Sequence, residues 1–428
     1  MKKNFLMAAA AASMLAFTAC SNEEEVARGM EENGVQNFVL QVASAGDGLT
    51  TRAGRPLYAA NAAQDIDDVD VIIYNIANDK IVFRKSLNNW KGISHKYTNG
   101  LQHTFSLKGD DKLKAGSYKV LAVGRSTGSQ YIYAPAFANL DKGATYTAPI
   151  KATFAGDAEE VFAGELALSL DKDGKEFDAS VVLHRQVAGG FGYFKNIPAA
   201  VNGKDAATLQ LVTRTKNTTV AFENFNSDFK EAGAEAKYVV NGLDAAAPDA
   251  KFNGSVAVDG VVLYKITLSD WFEGLDTNGD GILNHLDNWR HPESVATALI
   301  KGSVFAGKFM IPFAQTEKAS MELQLLAADG TILKSWGVKI PNSDINTNNA
   351  LGVTDTSVSI FNVVRNHMYN LGVKMEHKPG GGTYPENPDP EPTEPENPDN
   401  KPEDLSKGQD IILQVNDNWE AIHNMELD

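Results

Sequence analysis

Short runs of apolar or alternating residues, separated by Gly, Asn and Asp, recur along most of the chain in the pattern of antiparallel sheets. In residues 321–325 apolar and polar side chains alternate, so one face of this strand packs on a core and the other meets water. Asp329 and Gly330 follow it and predict a hairpin to the next strand. Helices are predicted only at residues 269–274 and 291–301. The predicted strands are residues 38–43, 69–76, 80–84, 103–107, 117–123, 166–170, 179–187, 209–213, 219–222, 261–268, 308–313, 321–326, 331–340 and 368–375.

These strands predict an all-β fold with two domains. Fourteen strands are more than one ordinary sandwich holds, and 428 residues with 43% hydrophobic content can bury two cores. The polar loop at residues 171–175 is the predicted seam. We therefore place one antiparallel β-sandwich at residues 53–176 and a second at residues 177–376.

Residues 1–19 have the arrangement of an export signal. Two lysines precede an apolar stretch at residues 5–17, and small residues lead into Cys20, the only cysteine of the chain. A single cysteine excludes an internal disulfide and a cysteine-based zinc site. The position of Cys20 at the predicted cleavage site resembles a bacterial lipoprotein signal, in which the new N-terminal cysteine carries lipid. The alternative is an ordinary signal with an incidental cysteine, since Phe17 stands where the motif usually has Leu. Residues 20–52 then form a propeptide that contains the first predicted strand.

The composition changes abruptly after residue 377. Eight of the 16 prolines lie between residues 379 and 402, among Glu, Asp and Asn. Such a tract favours extended polyproline II over packing, so residues 377–409 are predicted to be a spacer. Residues 410–428 follow with a strand-forming, partly alternating apolar set. This set is Ile411, Leu413, Val415, Trp419 and Ile422. An apolar strand at the end of a long spacer needs a partner to bury it, which makes residues 410–428 a candidate donor strand.

The net charge of −16 comes from 39 basic and 55 acidic residues, and it is concentrated in the extensions. Residues 20–51 carry −5, residues 385–404 carry −7 and residues 405–428 carry −4, while residues 52–384 carry only −2. No basic stripe is available to contact a phosphate backbone, so nucleic acid is excluded as a partner.

Sequence motifs for catalysis are sparse. The chain contains no His-Glu-x-x-His zinc motif and no phosphate-binding loop, and residues 189–192 lack the remaining glycine of a dinucleotide-binding fingerprint. The eight histidines are scattered along the sequence. We therefore expect a protein that is not an enzyme.

One local motif predicts a metal site. Residues 276–287 match the calcium loop of EF-hand and dockerin proteins at positions 1, 3, 5, 6, 9 and 12, over these twelve residues only. The candidate ligands are Asp276, Asn278, Asp280, the backbone carbonyl of Ile282, Asn284 and Asp287. The last position carries Asp where Glu is usual, which shortens its reach to the ion. The expectation is a structural calcium ion of modest affinity, and the alternative is a turn without metal.

Several segments together resemble the fimbrillin family, the major shaft subunits of type V pili from Bacteroidales-type bacteria. The resemblance covers essentially the whole chain through short motifs. These are the lipoprotein signal ending at Cys20, residues 182–188, 307–312 and 364–369, the Pro-rich spacer and the terminal strand with its tryptophan. The resemblance implies two sandwiches of Greek-key-like, transthyretin-like topology, followed by the donor strand.

The family resemblance also implies a mode of assembly. An Arg-specific protease would cut between Arg52 and Ala53, although Arg55 could be cut instead, and would release the first strand together with its lipid. The terminal strand of another copy would then fill the groove by strand addition, so copies would join head to tail into a cell-surface fimbrium that supports adhesion. Anchor and tip pilus subunits are the further implied partners, and the precursor would be held in the outer membrane by its lipid.

The alternative from another class is a surface lipoprotein whose β-sandwiches bind glycans. It would need an exposed aromatic platform, and the chain has five tryptophans, at residues 90, 271, 289, 336 and 419. It would also leave the spacer and the terminal strand without a role.

Overall fold

The computed structural model describes the chain in segments. These are residues 35–43, 66–97, 100–146, 149–154, 158–213, 217–222, 242–243, 261–293, 295, 299–313, 321–339, 363, 365, 368–374, 400–406, 411–412 and 414–416. All of them belong to one compact unit, Gly34–Asp428. No helix within these segments is long and apolar enough to cross a membrane.

Strands are the dominant secondary structure in the described part of the chain and helices are few, which confirms the predicted all-β sandwich fold. The first fourteen are β1 Gln36–Ala43, β2 Asp68–Asn75, β3 Lys80–Leu87, β4 His95–Tyr97, β5 Gly100–Leu107, β6 Gly116–Arg125, β7 Ile132–Ala134, β8 Lys151–Thr153, β9 Phe162–Leu170, β10 Phe177–Arg185, β11 Ala188–Lys195, β12 Ile197–Pro198, β13 Ala200–Val201 and β14 Lys204–Asp205. The others are β15 Thr208–Thr213, β16 Thr219–Ala221, β17 Gly242–Leu243, β18 Val261–Thr267, β19 Ile282–Leu283, β20 Val304–Met310, β21 Met321–Leu326, β22 Ile332–Lys339, β23 Met368–Leu371, β24 Val373–Lys374, β25 Asn400–Lys401, β26 Glu403–Asp404, β27 Ile411–Ile412 and β28 Gln414–Asn416.

Helical structure is short. One α-helix, α1, spans Trp90–Ile93, and 3-10 turns span Gly109–Asp111, Phe137–Asn139 and Leu268–Asp270. The last of these overlaps the predicted helix at residues 269–274. The described residues of the second predicted helix, 291–301, are not helical.

The N-terminal half is organised around one curled sheet of eight strands in the order β3-β2-β6-β9-β10-β1-β5-β4. Phe83 of β3 stacks on Phe105 of β5 with ring centroids 5.9 Å apart, so the two ends of this sheet lie close to each other. Residues Val71 and Ile73 of β2 enter the core inside this curl, while Ile72 and Tyr74 enter a second core on the other face. Burial on both faces explains why β2 is continuously apolar at its centre.

A four-stranded sheet, β17-β16-β8-β7, contributes to the second core through Ala152, Val220 and the adjacent Phe222. The largest core among the described residues lies in the C-terminal half, between two sheets that share one cluster of buried side chains. One sheet has the order β18-β15-β21-β22-β27, and the other contains β20, β11, β23, β28 and β26. The hairpin predicted at Asp329 and Gly330 joins β21 to β22. Gly330 has φ +81°, which this turn requires and glycine readily adopts.

The eight-stranded sheet continues past the predicted boundary near residue 176. Strand β10, which follows that boundary, pairs with β1 and with β9 of the N-terminal half. Among the strands that the structure describes, four pairings are parallel: β1 with β10, β11 with β23, β11 with β26, and β22 with β27. The eight-stranded sheet and the two five-stranded sheets are therefore mixed, whereas local sequence patterns predict antiparallel ones.

Candidate functional site: the first strand and its slot

The first strand, β1, fills a slot in the middle of the eight-stranded sheet. We call the gap between β5 and β10 the β1 slot. On one side β1 pairs in parallel with β10 over seven residue pairs, and on the other side it pairs antiparallel with β5 over eight. Removing β1 would leave two unpaired strand edges facing each other.

Alternate side chains of β1 are buried in the core of the curled sheet. Phe38, Leu40 and Val42 are fully buried. The Phe38 ring stacks on Phe105 at 5.6 Å and meets the edge of Phe177 at 5.1 Å, so it contacts both neighbouring strands. At about 1.5–3 kcal/mol for each side chain, the three contribute roughly 5–9 kcal/mol gross. The slot is therefore an apolar groove that is unfavourable to leave empty.

Gln36, a polar side chain that sequence reasoning missed, fixes one end of β1. Its side chain is fully buried. Its amide nitrogen donates to the carbonyls of Leu113 (3.1 Å) and Lys175 (3.0 Å), and its amide oxygen accepts from the Leu113 N–H at 2.7 Å. The predicted strand began at Phe38. The sequence does carry a signal for this role: Gln36 lies two residues before Phe38, so it falls on the same inward-facing side of the strand.

The neighbouring Asn37 lies at the rim of the slot. It donates from Nδ2 to Oδ1 of Asp178 on β10 at 2.9 Å, and its Oδ1 accepts from the Ser106 hydroxyl on β5 at 2.6 Å. One short side chain therefore links both walls of the slot. The predicted lipidation residue, Cys20, and the predicted processing residues, Arg52 and Ala53, lie outside the described residues, as does the alternative cleavage site Arg55.

The end of the spacer packs on the C-terminal sheets, which corrects the expectation of an extended tract through residue 409. Strand β25 pairs with β24, β26 pairs with β11, and Leu405 is fully buried. Tyr193 donates its hydroxyl to Oδ1 of Asn400 at 2.9 Å and accepts from the Ile300 N–H. Burial raises the pKa of Tyr193 to about 12. In residues 400–406, backbone pairing and the burial of Pro402 and Leu405 outweigh the preference of the Pro-rich tract for an extended polyproline II conformation.

The candidate donor strand also has an intramolecular position at its start. Strand β27 pairs in parallel with β22, β28 pairs antiparallel with β23, and Ile411 is 2% exposed within the C-terminal core. The expectation that this apolar segment has no site in its own chain is therefore wrong for Ile411. Val415 lies in β28, while Leu413, Trp419 and Ile422 lie outside the described residues.

The candidate calcium loop is folded by a series of side-chain turns. One side-chain oxygen of Asn278, Asp280 and Asn284 each accepts the N–H two residues further on, at 2.7–2.9 Å. Asp276 accepts the Gly281 N–H at 3.0 Å, and Asp287 closes the loop by accepting the N–H groups of Thr277 (2.7 Å) and Asn284 (2.9 Å). The hydrogen bond from the Ile282 N–H lowers the pKa of Asp280.

This loop has the oxygen-rich composition that a hard cation prefers. Oδ1 of Asp276 is buried and has no hydrogen-bond partner, which leaves one carboxylate oxygen available. Within the described residues, however, no three His, Cys, Asp or Glu side chains are grouped closely enough to hold a metal by themselves. Any ion would therefore depend on the amide and backbone oxygens as well as on the carboxylates. Pairing of β19 with β12 attaches the loop to the C-terminal core.

One segment of β6 and the turn after it bears on the expectation of a non-enzyme. Residues 124–128 match the Gly-x-Ser-x-Gly pattern of serine hydrolases. In the structure this segment runs from β6 into a turn, whereas the hydrolase motif needs a strand-to-helix turn. The Ser126 hydroxyl donates to Asp67 at 3.3 Å and accepts from the Gly128 N–H at 3.2 Å. These contacts give Ser126 a role in the turn.

Comparison with known proteins gives weak structural similarities. No protein-family model matches the chain, and no curated protein matches it. A fimbrial assembly protein from Parabacteroides distasonis is 12% identical with a TM-score of 0.35, over 81% of this chain and 93% of that chain. The fimbrial anchor protein Mfa2 from Porphyromonas gingivalis is 8% identical with a TM-score of 0.37, over 79% and 90%. A candidate polysaccharide-binding protein from Bacteroides thetaiotaomicron is 11% identical with a TM-score of 0.36, over 78% and 91%. Similarity at this level assigns no family to this chain.

Proposed function

We propose that the chain is a subunit of a cell-surface fimbrium that polymerises by exchanging its first strand for a strand of another copy. The observation that carries the proposal is the central position of β1, with both edges paired and Phe38, Leu40 and Val42 fully buried. A strand in this position cannot leave without exposing an apolar groove. The groove would then bind a strand of similar pattern by β-strand addition.

Proteolysis between Arg52 and Ala53 is the proposed trigger. The described chain leaves β1 at Ala43 and resumes at Ile66, so both cleavage residues lie in the connection between β1 and the rest of the sheet. A cut in this connection would leave β1 held only by hydrogen bonds and packing. It would also separate the subunit from a lipid on Cys20, which on this proposal anchors the precursor in the outer membrane.

The proposed donor is the terminal segment with Ile411, Leu413, Val415, Trp419 and Ile422. Because Ile411 is buried in its own domain, donation requires this segment to detach first. Each copy would then offer one slot and one donor, and such head-to-tail contacts do not close on themselves. An Arg-specific protease, other copies of the chain, and anchor and tip subunits are the proposed partners, and adhesion is the proposed role of the fibre.

We also propose that the loop from Asp276 to Asp287 holds a structural calcium ion. Asp276, Asn278, Asp280, Asn284 and Asp287 would supply side-chain oxygens, and Ile282 would supply its carbonyl. The free Oδ1 of Asp276 supports this assignment. The ion would supply positive charge that holds the loop in its folded form.

A glycan-binding role gains no support from the described residues. Trp90, Trp271 and Trp336 are buried, and the half-buried Trp289 donates its indole N–H to the Ser303 carbonyl at 2.7 Å. The exposed large apolar side chains in the described part of the chain are all aliphatic. No aromatic platform for sugar stacking is therefore present there.

Processing can be tested with two arginine variants. We expect the purified Arg52→Ala precursor to stay monomeric when treated with an Arg-specific protease, because β1 remains connected to its sheet. The matched control, Arg55→Ala, should be cut and form fibres at the wild-type rate, as followed by mass spectrometry and electron microscopy. Fibres of wild-type yield from Arg52→Ala with β1 still attached would contradict the exchange model.

A further inference from the structure

Residues 409–415 repeat the sequence of β1. Residues 36–42 read Gln-Asn-Phe-Val-Leu-Gln-Val and residues 409–415 read Gln-Asp-Ile-Ile-Leu-Gln-Val, so four of seven positions are identical and the other three are similar in character. We propose that Gln409 sets the register of assembly, because residues 409–415 of one copy occupy the β1 slot of another with Gln409 in the place of Gln36. This inference rests on the proposed function, and it names the residue that determines how the two copies align.

The core positions of the two segments correspond. The inward-facing Phe38, Leu40 and Val42 would be replaced by an isoleucine, a leucine and a valine from residues 411–415. Two of the three are unchanged, and the third exchanges an aromatic ring for a smaller apolar side chain beside Phe105 and Phe177. The slot therefore accepts the repeat with repacking at one position.

Gln409 is the feature that distinguishes this register from others. The slot presents the Leu113 N–H, the Leu113 carbonyl and the Lys175 carbonyl to one buried amide. A slip by two residues would place Ile411 or Lys407 against these groups and leave their hydrogen bonds unmade. A slip by one residue would turn the apolar face of the strand outward. Unpaired buried polar groups are costly, so the glutamine selects a single alignment.

One difference between the repeats favours β1 over its replacement. Asn37 donates to Asp178 and accepts from Ser106, whereas Asp410 at the same position can only accept. An aspartate there would face the carboxylate of Asp178. The native first strand is thus the better match at the rim of the slot, which is consistent with a precursor that keeps β1 until the chain is cut.

Disulfide trapping tests the register directly. In β1 the partner of Val39 on β5 is Thr104, so Ile412 should lie opposite Thr104 of the next copy. The chain with Thr104→Cys and Ile412→Cys, cut after residue 52 to remove Cys20, should give a ladder of covalent multimers under mild oxidation. In the matched control with Thr104→Cys and Gln414→Cys, the second cysteine lies two residues away from the position opposite Thr104, so this chain should give few covalent multimers. Directly opposed residues meet disulfide geometry and displaced ones do not.

A second arm tests the glutamine itself. Gln409→Leu should slow assembly by about tenfold or more, because it leaves the slot's buried polar groups unpaired. Gln130→Leu makes the same chemical change on an exposed loop outside the slot, where the Gln130 amide donates to the Gly128 carbonyl, and should change the rate by less than about twofold.

The outcomes separate the two proposals. Fibres that form normally but cross-link only through the displaced pair would overturn the register while leaving strand exchange intact. Equal effects of the two leucine variants would overturn the role of Gln409. A cut chain that never assembles would remove the proposed function, and the register with it.

Discussion

Asp70 is a fully buried carboxylate in β2, and its charge is matched by side chains from neighbouring strands. Arg125 of β6 donates from Nε at 2.6 Å, and the Ser86 hydroxyl of β3 also donates to Asp70. Burial acts to lower the pKa of Arg125, but the hydrogen bond and charge of Asp70 raise it above its ordinary value. At the residue scale, a single substitution in this pair should therefore be costly.

We expect Arg125→Leu to lower the free energy of unfolding by about 3 kcal/mol, because it leaves Asp70 buried without its main partner. Urea denaturation followed by tryptophan fluorescence measures the loss. Lys204→Leu is the control, since its ion pair with Asp329 is exposed and should contribute nothing measurable. Similar stabilities for the two variants would show that Asp70 is compensated in another way.

The candidate calcium loop gives a second residue-scale prediction. Chelator should lower the Tm of the purified chain, and Asp276→Ala with Asp280→Ala should abolish the difference between calcium and chelator. Asp329→Ala removes a carboxylate from a different turn and should keep the calcium response. Differential scanning calorimetry measures all three chains. Identical curves for the wild type with and without calcium would leave the loop as a turn without metal.

At the element scale, the sequence predicted the positions of most of the longer strands, but it did not predict which strands pair with each other. The run from Phe38 to Ala43 was recognised because it alternates, yet its place between β5 and β10 depends on residues 60 to 140 positions away. Pairing over such distances is not encoded in a local pattern. The packing of Leu405 was missed for the opposite reason, since local composition favoured an extended spacer while a distant core provided its site. The side-chain turns of the calcium loop were predictable because their contacts are local.

The terminal segment is the element whose removal is most informative. Deleting residues 411–428 should lower the free energy of unfolding by about 1–3 kcal/mol, because Ile411 leaves the C-terminal core. The shorter deletion of residues 417–428 retains β27 and β28 and should keep wild-type stability. Both can be compared by urea denaturation. A chain that fails to fold without residues 411–428 would mean that the segment belongs permanently to its own domain.

At the scale of the whole molecule, a subunit with an empty slot and no donor should end a fibre. When the chain lacking residues 411–428 is cut after Arg52 and mixed with wild-type subunits, we expect fibres to become shorter in proportion to its share, as measured by electron microscopy. The same deletion combined with Arg52→Ala keeps β1 in the slot and should leave fibre length unchanged. Equal shortening by both chains would mean that capping does not use the β1 slot.

The parallel pairing of β1 with β10 has a consequence for the order of folding. Residue 36 pairs with residue 177, so about 140 further residues must be synthesised after the start of β1 before its parallel neighbour exists. Contacts of such sequence separation form slowly, and the sheet stays open between β5 and β10 until they do. A chain that lost β1 before this closure would carry an open apolar groove, which favours aggregation. On the proposed function, cleavage would therefore have to follow folding, and β1 would keep the apolar groove filled until that point.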